Sequence, residues 1–251
     1  MTATDPLQPL LGLPGVAAAA AHARTDIDRL LAHRVLRRQS APVSAESALR
    51  GARASAALSG SAYQLEAVRA GGVEDVVLAG ALRVSAALGG FVDTWNRAPL
   101  QVLARLHVLA AADLTSANRL GRPTGDPAVG ARLAALAGLL TAVSDVPAVV
   151  LAAVVHGELL AIAPFGSADG VVARAAYRLT LVGRGLDPKS VSVPEVGHVE
   201  LGREYDDALA GYRSGDAGGV AAWVRHCCAA VGLGAQEGLA VCEAIRRGAS
   251  E

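Results

Sequence analysis

The chain has 251 residues, 28 of them Gly and 11 Pro, with 52% apolar, 3% aromatic and 18% charged positions, which is enough apolar material for a sizeable core and excludes a disordered chain. Lys plus Arg and Asp plus Glu both total 23, so no net charge draws the chain to polyanions, and neither nucleic acid nor a membrane surface is expected as a partner. A core so poor in aromatic residues must be built from Ala, Leu and Val, which pack best as closely approaching helices, and an all-α fold follows.

Residues 1–13 carry several Pro and Gly positions and little periodicity, and they read as a tail. Residues 15–38 predict a helix with Ile27, Leu30, Leu31 and Val35 on one stripe, followed by a linker at residues 39–43. Ser44 opens a second helix, which Ser59, Gly60 and Ser61 end. Residues 73–95 and 100–114 are the next helices, separated by Pro99. Residues 118–126, with the sequence NRLGRPTGD, have the Gly and Pro density of an exposed loop or hairpin. Residues 127–143 and 146–162 are apolar on nearly all faces, as helices in the middle of a bundle are. A turn at residues 163–169 leads into a helix over residues 170–183, and shorter helices follow at 201–212, 217–231 and 236–247, the last two broken by the glycines at 232–234.

The three cysteines, Cys227, Cys228 and Cys242, are odd in number and lack zinc-ligand spacing, so no disulfide framework or metal site is expected and a cytoplasmic location fits. His226 beside Cys227 and Cys228 suggests metal by residue type only. The apolar runs at residues 133–143 and 146–155 are each about half of what a bilayer crossing needs. The Ala excess and the single lysine, Lys189, reflect a GC-rich coding sequence of bacterial type.

The most informative stretch is HGELLAIAPFGSADGVVAR at residues 156–174, where an apolar helix runs into Pro-Phe, a small-residue turn and a new helix. A helix start offers unpaired N–H groups and a positive dipole end, the architecture of an anion cradle. The segment resembles the Fic (Fido) signature H-P-F-x-[D/E]-G-N-G-R-x-x-R, read as Ala163, Pro164, Phe165, Gly166, Ser167, Ala168, Asp169, Gly170, Val171, Val172, Ala173 and Arg174. Leu106 and His107 resemble the helix ahead of the family's flap, and GRPTG, with Gly121, Arg122 and Gly125, resembles the start of that flap. The resemblance implies a Fic-like helical bundle around a buried central helix, with residues 118–126 open to forming a small β-hairpin flap. It also implies a tail and helix at 1–43 ahead of a Fic-like domain at 44–251.

Fic enzymes transfer AMP from ATP to a protein hydroxyl, with the motif His as base and the acidic residue holding Mg²⁺. Here those positions are Ala163 and Ser167, the Asn position is Asp169 and the first Arg position is Val171, while Pro164, Phe165, Gly170 and Arg174 remain. An alanine methyl accepts no proton, and a hydroxyl is a poor ligand for Mg²⁺. The resemblance therefore implies a degenerate site in a binding or regulatory protein that needs no cofactor, with a protein partner or further copies of itself. Two alternatives stand beside it: a transferase or phosphate-compound enzyme of altered chemistry, which would need ATP and Mg²⁺, and a structural helical oligomer without ligand. Asp169 is placed to cap the new helix by accepting from the N–H of Val171 or Val172. Ser55 to Gly60 fits the family's inhibitory pattern [S/T]-x-x-x-E-[G/N] with Ser59 at the Glu position. Without that Glu, Arg174 is expected to pair with Asp169 or another acidic group, or to face an open anion site. His156 and His107 read as hydrogen-bonded core residues.

Overall fold

The computed structural model describes residues 5–248, and among them there are twelve α-helices, three short 3₁₀ segments and no strand. The first four residues of the expected tail lie outside the described residues. The rest of it is folded: residues Gln8–Gly12 form a 3₁₀ turn, Leu7 is buried, and the Asp5 carboxylate accepts from Ser144 Oγ at 2.6 Å. Helix α1 (Val16–Leu31) buries the expected stripe through Ile27 and Leu30, and ends short of Arg38.

Helix α2 (Ser40–Ala57) begins inside the segment read as a linker, so residue 44 lies within this helix. A short α3 (Leu65–Arg69) precedes α4 (Val76–Ala87), whose start is capped by Asp75 accepting from the Leu78 N–H at 2.8 Å. The continuous helix expected to Trp95 is interrupted by a 3₁₀ turn at Leu88–Phe91, where Gly89 and Gly90 weaken the α conformation, and resumes as α5 (Val92–Trp95). The break between helices falls just ahead of Pro99, at residues 96–98. This proline is the first residue of α6 (Pro99–Ala111), where its missing N–H costs nothing.

Helix α7 (Pro127–Thr141) departs from expectation, since it buries only Leu133, Leu136 and Leu140 and lies on the outside of the bundle. Its other apolar residues are mostly alanine, small enough to face water at little cost. Helix α8 (Ala148–Ile162) is the buried centre, with every residue from Val149 to Gly157 out of solvent. It runs beside α9 (Asp169–Gly183), also almost wholly buried. Together these two form a middle layer. One core, with Leu106, Leu136, Leu151, Val155 and Leu179, fills the side covered by α4, α5, α6 and α7. A second, with Ile27, Val150, Tyr177, Trp223 and Val231, fills the side covered by α1, α11 and α12.

Helix α10 (Pro194–Leu201), which sequence periodicity does not bring out, is followed by α11 (Glu204–Ser214) and by α12 (Ala217–Gly248), one unbroken helix of 32 residues. The expected break at residues 232–234 is absent because these glycines serve close approach. A methyl on Gly234 would sit 2.6 Å from the backbone of Val193 and Pro194, and one on Gly232 would sit 2.9 Å from Asp26. By length and composition two stretches, Val76–Trp95 and Ala217–Gly248, reach what a bilayer crossing requires, although the sequence runs fall short of it; the second is the packed core helix α12.

Candidate functional site

Residues 163–168 form the loop between α8 and α9, at the end of the middle layer. Ala163 ends α8 in the left-handed conformation at φ 41°, and Ala168 precedes α9 at φ 53°. Both are alanines in a region that costs a non-glycine residue about 1–2 kcal/mol. The signature that the loop resembles has glycine at the Ala168 position, a residue that adopts such a backbone freely. Pro164 and Phe165 are buried, while Ala163, at the base position, is exposed.

Two side chains hold this loop. Asp169 does not cap α9, which has no side-chain cap; it lies in the first turn, and its carboxylate points back into the loop to accept the Phe165 N–H at 2.9 Å. The expected bonds to Val171 and Val172 do not form, since Ala168 occupies the cap position and Asp169 is already the first helical residue. Burial pushes the Asp169 carboxyl up, and the N–H groups of Phe165 and Gly166 pull it part of the way back. The second side chain is His107 of α6, fully buried and stacked on the Phe165 ring with centroids 4.2 Å apart and planes 6° from parallel. Its Nδ1 accepts the Gly121 N–H at 2.9 Å, which places the ring proton on Nε2, and that N–H donates to Ser167 Oγ at 3.0 Å. Burial and the positive charge of Arg119 favour this neutral form. In this tautomer His107 cannot take a proton from Ser167. It is a core histidine, as expected, but one that joins helix, flap and motif loop.

The flap region 118–126 is an irregular loop rather than a hairpin. The Thr124 N–H donates to the Pro164 carbonyl at 2.7 Å, tying it to the motif loop. The concavity beside it is lined by Asn118, Arg119, Arg122, Pro123, Thr124 and Gly125, all residues of the flap.

Arg174, one turn into α9, makes no bond to the loop and pairs with neither Asp169 nor any other carboxylate among the described residues, contrary to expectation. It is 2% exposed, so no open anion site faces it either. Its guanidinium donates to Ser55 Oγ at 2.9 Å, the Ser55 carbonyl at 2.8 Å and Ser59 Oγ at 2.6 Å, with Tyr205 Oη at 3.4 Å. The two serines lie at the carboxyl end of α2, where the helix dipole is negative and stands in for a counter-ion. Ser55 and Ser59 are the two positions singled out in the inhibitory frame, and the fold brings both onto Arg174. The space above Gly170 is correspondingly small, since a methyl there would lie 3.1 Å from the guanidinium. Val171, at the first Arg position, is 3% exposed and belongs to the core.

His156 makes the expected internal bond, Nε2 to Tyr205 Oη at 3.0 Å, and Tyr205 in turn reaches Arg174. His226 contacts His198 rather than Cys228, with Nε2 to Nδ1 at 3.0 Å. His198 was not singled out from the sequence, where nothing near it marks a site.

The sequence matches no family model and no curated relative. The structure does find likenesses. It superposes on a Fic family protein from Desulfovibrio desulfuricans with a TM-score of 0.76 at 20% identity, covering 90% of this chain and 74% of that one. It superposes on a fragment of Fic-1 from C. elegans with a TM-score of 0.74 at 17% identity, covering 93% of this chain and 74% of that one. The protein has the Fic fold, all-α and built around the buried α8.

Proposed function

We propose that this is a noncatalytic Fic-fold protein that acts by binding a protein partner, with its AMP-transfer site closed. The observation that carries the reading is the bonding of the motif loop. Every polar side chain there serves the loop itself: Asp169 on Phe165, Ser167 on His107, His107 on Gly121.

The residues present do not fit Mg²⁺ and ATP. A hard cation needs charged oxygen ligands, and the acidic position holds a hydroxyl already engaged by His107. General base catalysis typically supplies about 10²–10⁴ in rate, and the base position holds a methyl. The nearest imidazole presents a donor where an acceptor is required. Three buried cysteines without disulfides fit a reducing compartment.

The test is incubation with labelled ATP, Mg²⁺ or Mn²⁺ and a general acceptor protein, beside a thermal-shift titration with ATP. No transfer and no shift are expected, since a ligand bound only by the folded state raises the apparent stability by RT ln(1 + [L]/Kd). Labelling that persists through His107→Phe and Asp169→Asn would overturn the reading.

A further inference from the structure

Behind Arg174, on the far side of Tyr205, three helices bring together groups that the closed site does not use. His156 comes from α8, His198 from α10, and His226 and Cys227 from α12. His156, His198 and Cys227 are each 0% exposed, and one ligand-type atom from each lies within 4.8 Å of those of the other two.

Each of the two histidines uses one ring nitrogen and leaves the other bare. His156 Nε2 is bonded to Tyr205 Oη and His198 Nδ1 to His226 Nε2, while His156 Nδ1 and His198 Nε2 have no hydrogen-bond partner. A buried polar nitrogen without a partner is rare and costly, and those of His156 and His198, with His226 Nδ1 bare beside them, call for something that would satisfy them.

We propose that His156 Nδ1, His198 Nε2 and Cys227 Sγ form a binding site for a borderline-soft divalent cation of the Zn²⁺ type, tying α8, α10 and α12 together. Two imidazoles and a thiolate are the donor set such an ion selects. None of the three donors is a carboxylate or carbonyl oxygen, the ligands that Mg²⁺ and Ca²⁺ take. Metal-bound histidines characteristically give their second N–H to an orienting partner, the position that Tyr205 and His226 occupy here. Around one such ion the donors would stand about 3.3–3.7 Å apart, so a pair at the 4.8 Å limit has to close by about 1 Å, through rotation of the two imidazoles and the thiol.

Protonation favours the two histidines and opposes the cysteine. Burial holds both imidazoles well below their usual range, so they stay in the neutral, ligating form. Burial pushes the Cys227 thiol well up. Binding therefore has to expel its proton: the cation and the S–H give a metal–thiolate bond and one H⁺ released to solvent. The cluster is closed to solvent, so the metal enters as the chain folds.

The experiment unfolds the full chain in guanidinium with a reductant and refolds it with Co²⁺ or with Zn²⁺. Refolding with Co²⁺ should give about one bound ion per chain, with a thiolate-to-cobalt charge-transfer band in the near ultraviolet that Zn²⁺ suppresses. Cys227→Ser should abolish the band and Cys242→Ser should leave it intact. His226→Phe, which removes the residue orienting His198, should weaken binding about 10–100-fold while keeping the band at saturating cobalt. The wild-type spectrum decides the matter even if a variant fails to fold. Absence of the band together with no retained Zn²⁺ by elemental analysis would overturn the proposal, as would a band that survives Cys227→Ser.

Discussion

His107 offers the sharpest perturbation of the loop, because its two nitrogens do separate jobs that isosteres can divide. Phenylalanine keeps the stack on Phe165 but removes the acceptor for Gly121 and the donor to Ser167. A neutral bond is worth about 1 kcal/mol, and stranding a partly buried N–H costs about 1–3 kcal/mol, so His107→Phe should cost about 2–4 kcal/mol. At about 2–4 °C per kcal/mol for a chain of this size, the melting temperature should fall by about 5–15 °C. His107→Asn places an amide oxygen near the position of Nδ1 and should recover the Gly121 bond, and with it about 1 kcal/mol. His107→Gln retains only the donor toward Ser167. Urea unfolding gives the stabilities, and hydrogen exchange at the Gly121 amide reports the flap anchor, protected in the wild type and Asn variant and fast in the Phe and Gln variants. If the Gly121 amide stays protected in His107→Phe, the flap is not held by this histidine.

Three further outcomes test neighbouring parts of the site. Ala168→Gly should stabilise by about 0.5 kcal/mol in urea unfolding, the relief of a left-handed alanine exceeding the added freedom of the unfolded chain, whereas Ala135→Gly on the exposed face of α7 should cost about 1 kcal/mol. Ser59→Glu should gain about 1 kcal/mol over Ser59→Gln by giving Arg174 a charged acceptor, a difference that shrinks with added salt. Asp169→Asn keeps the acceptor for Phe165 without the buried charge. Because the native carboxyl is raised above its ordinary value of 3.8, the wild type loses stability relative to Asn as pH rises through the native value. Denaturation curves should therefore coincide near pH 3 and favour the Asn variant at pH 7.

The middle of the fold is legible because α8 is apolar on every face and the motif loop carries Pro164 and small residues, both local signals. The path of α12 is not, since Gly232 and Gly234 look the same in sequence whether they break a helix or let two backbones touch; only the presence of Val193 and Pro194 against Gly234 distinguishes the cases. Asp169 is misread for a related reason. A cap is inferred from position, but Ala168 occupies the cap position and Asp169 is already the first helical residue. The sequence offers Arg174 an acidic partner or an open anion site, but the end of a helix far away in sequence supplies the negative potential instead. The cluster of His156, His198 and Cys227 is invisible in sequence because its members are 42 and 29 residues apart, with no motif spacing.

The chain has two tryptophans, one in each core: Trp95 bonded to Thr180 Oγ1 at 3.1 Å on one side of the middle layer, and Trp223 bonded to the Ala153 carbonyl at 2.8 Å on the other. Nature has thereby labelled the halves of this molecule with separate optical reporters. Trp95→Phe leaves a chain whose emission follows the half containing the imidazole cluster, and Trp223→Phe one whose emission follows the half beneath the flap. Coincident red shifts on denaturation would mark one cooperative unit, and staggered shifts would show which half gives way first.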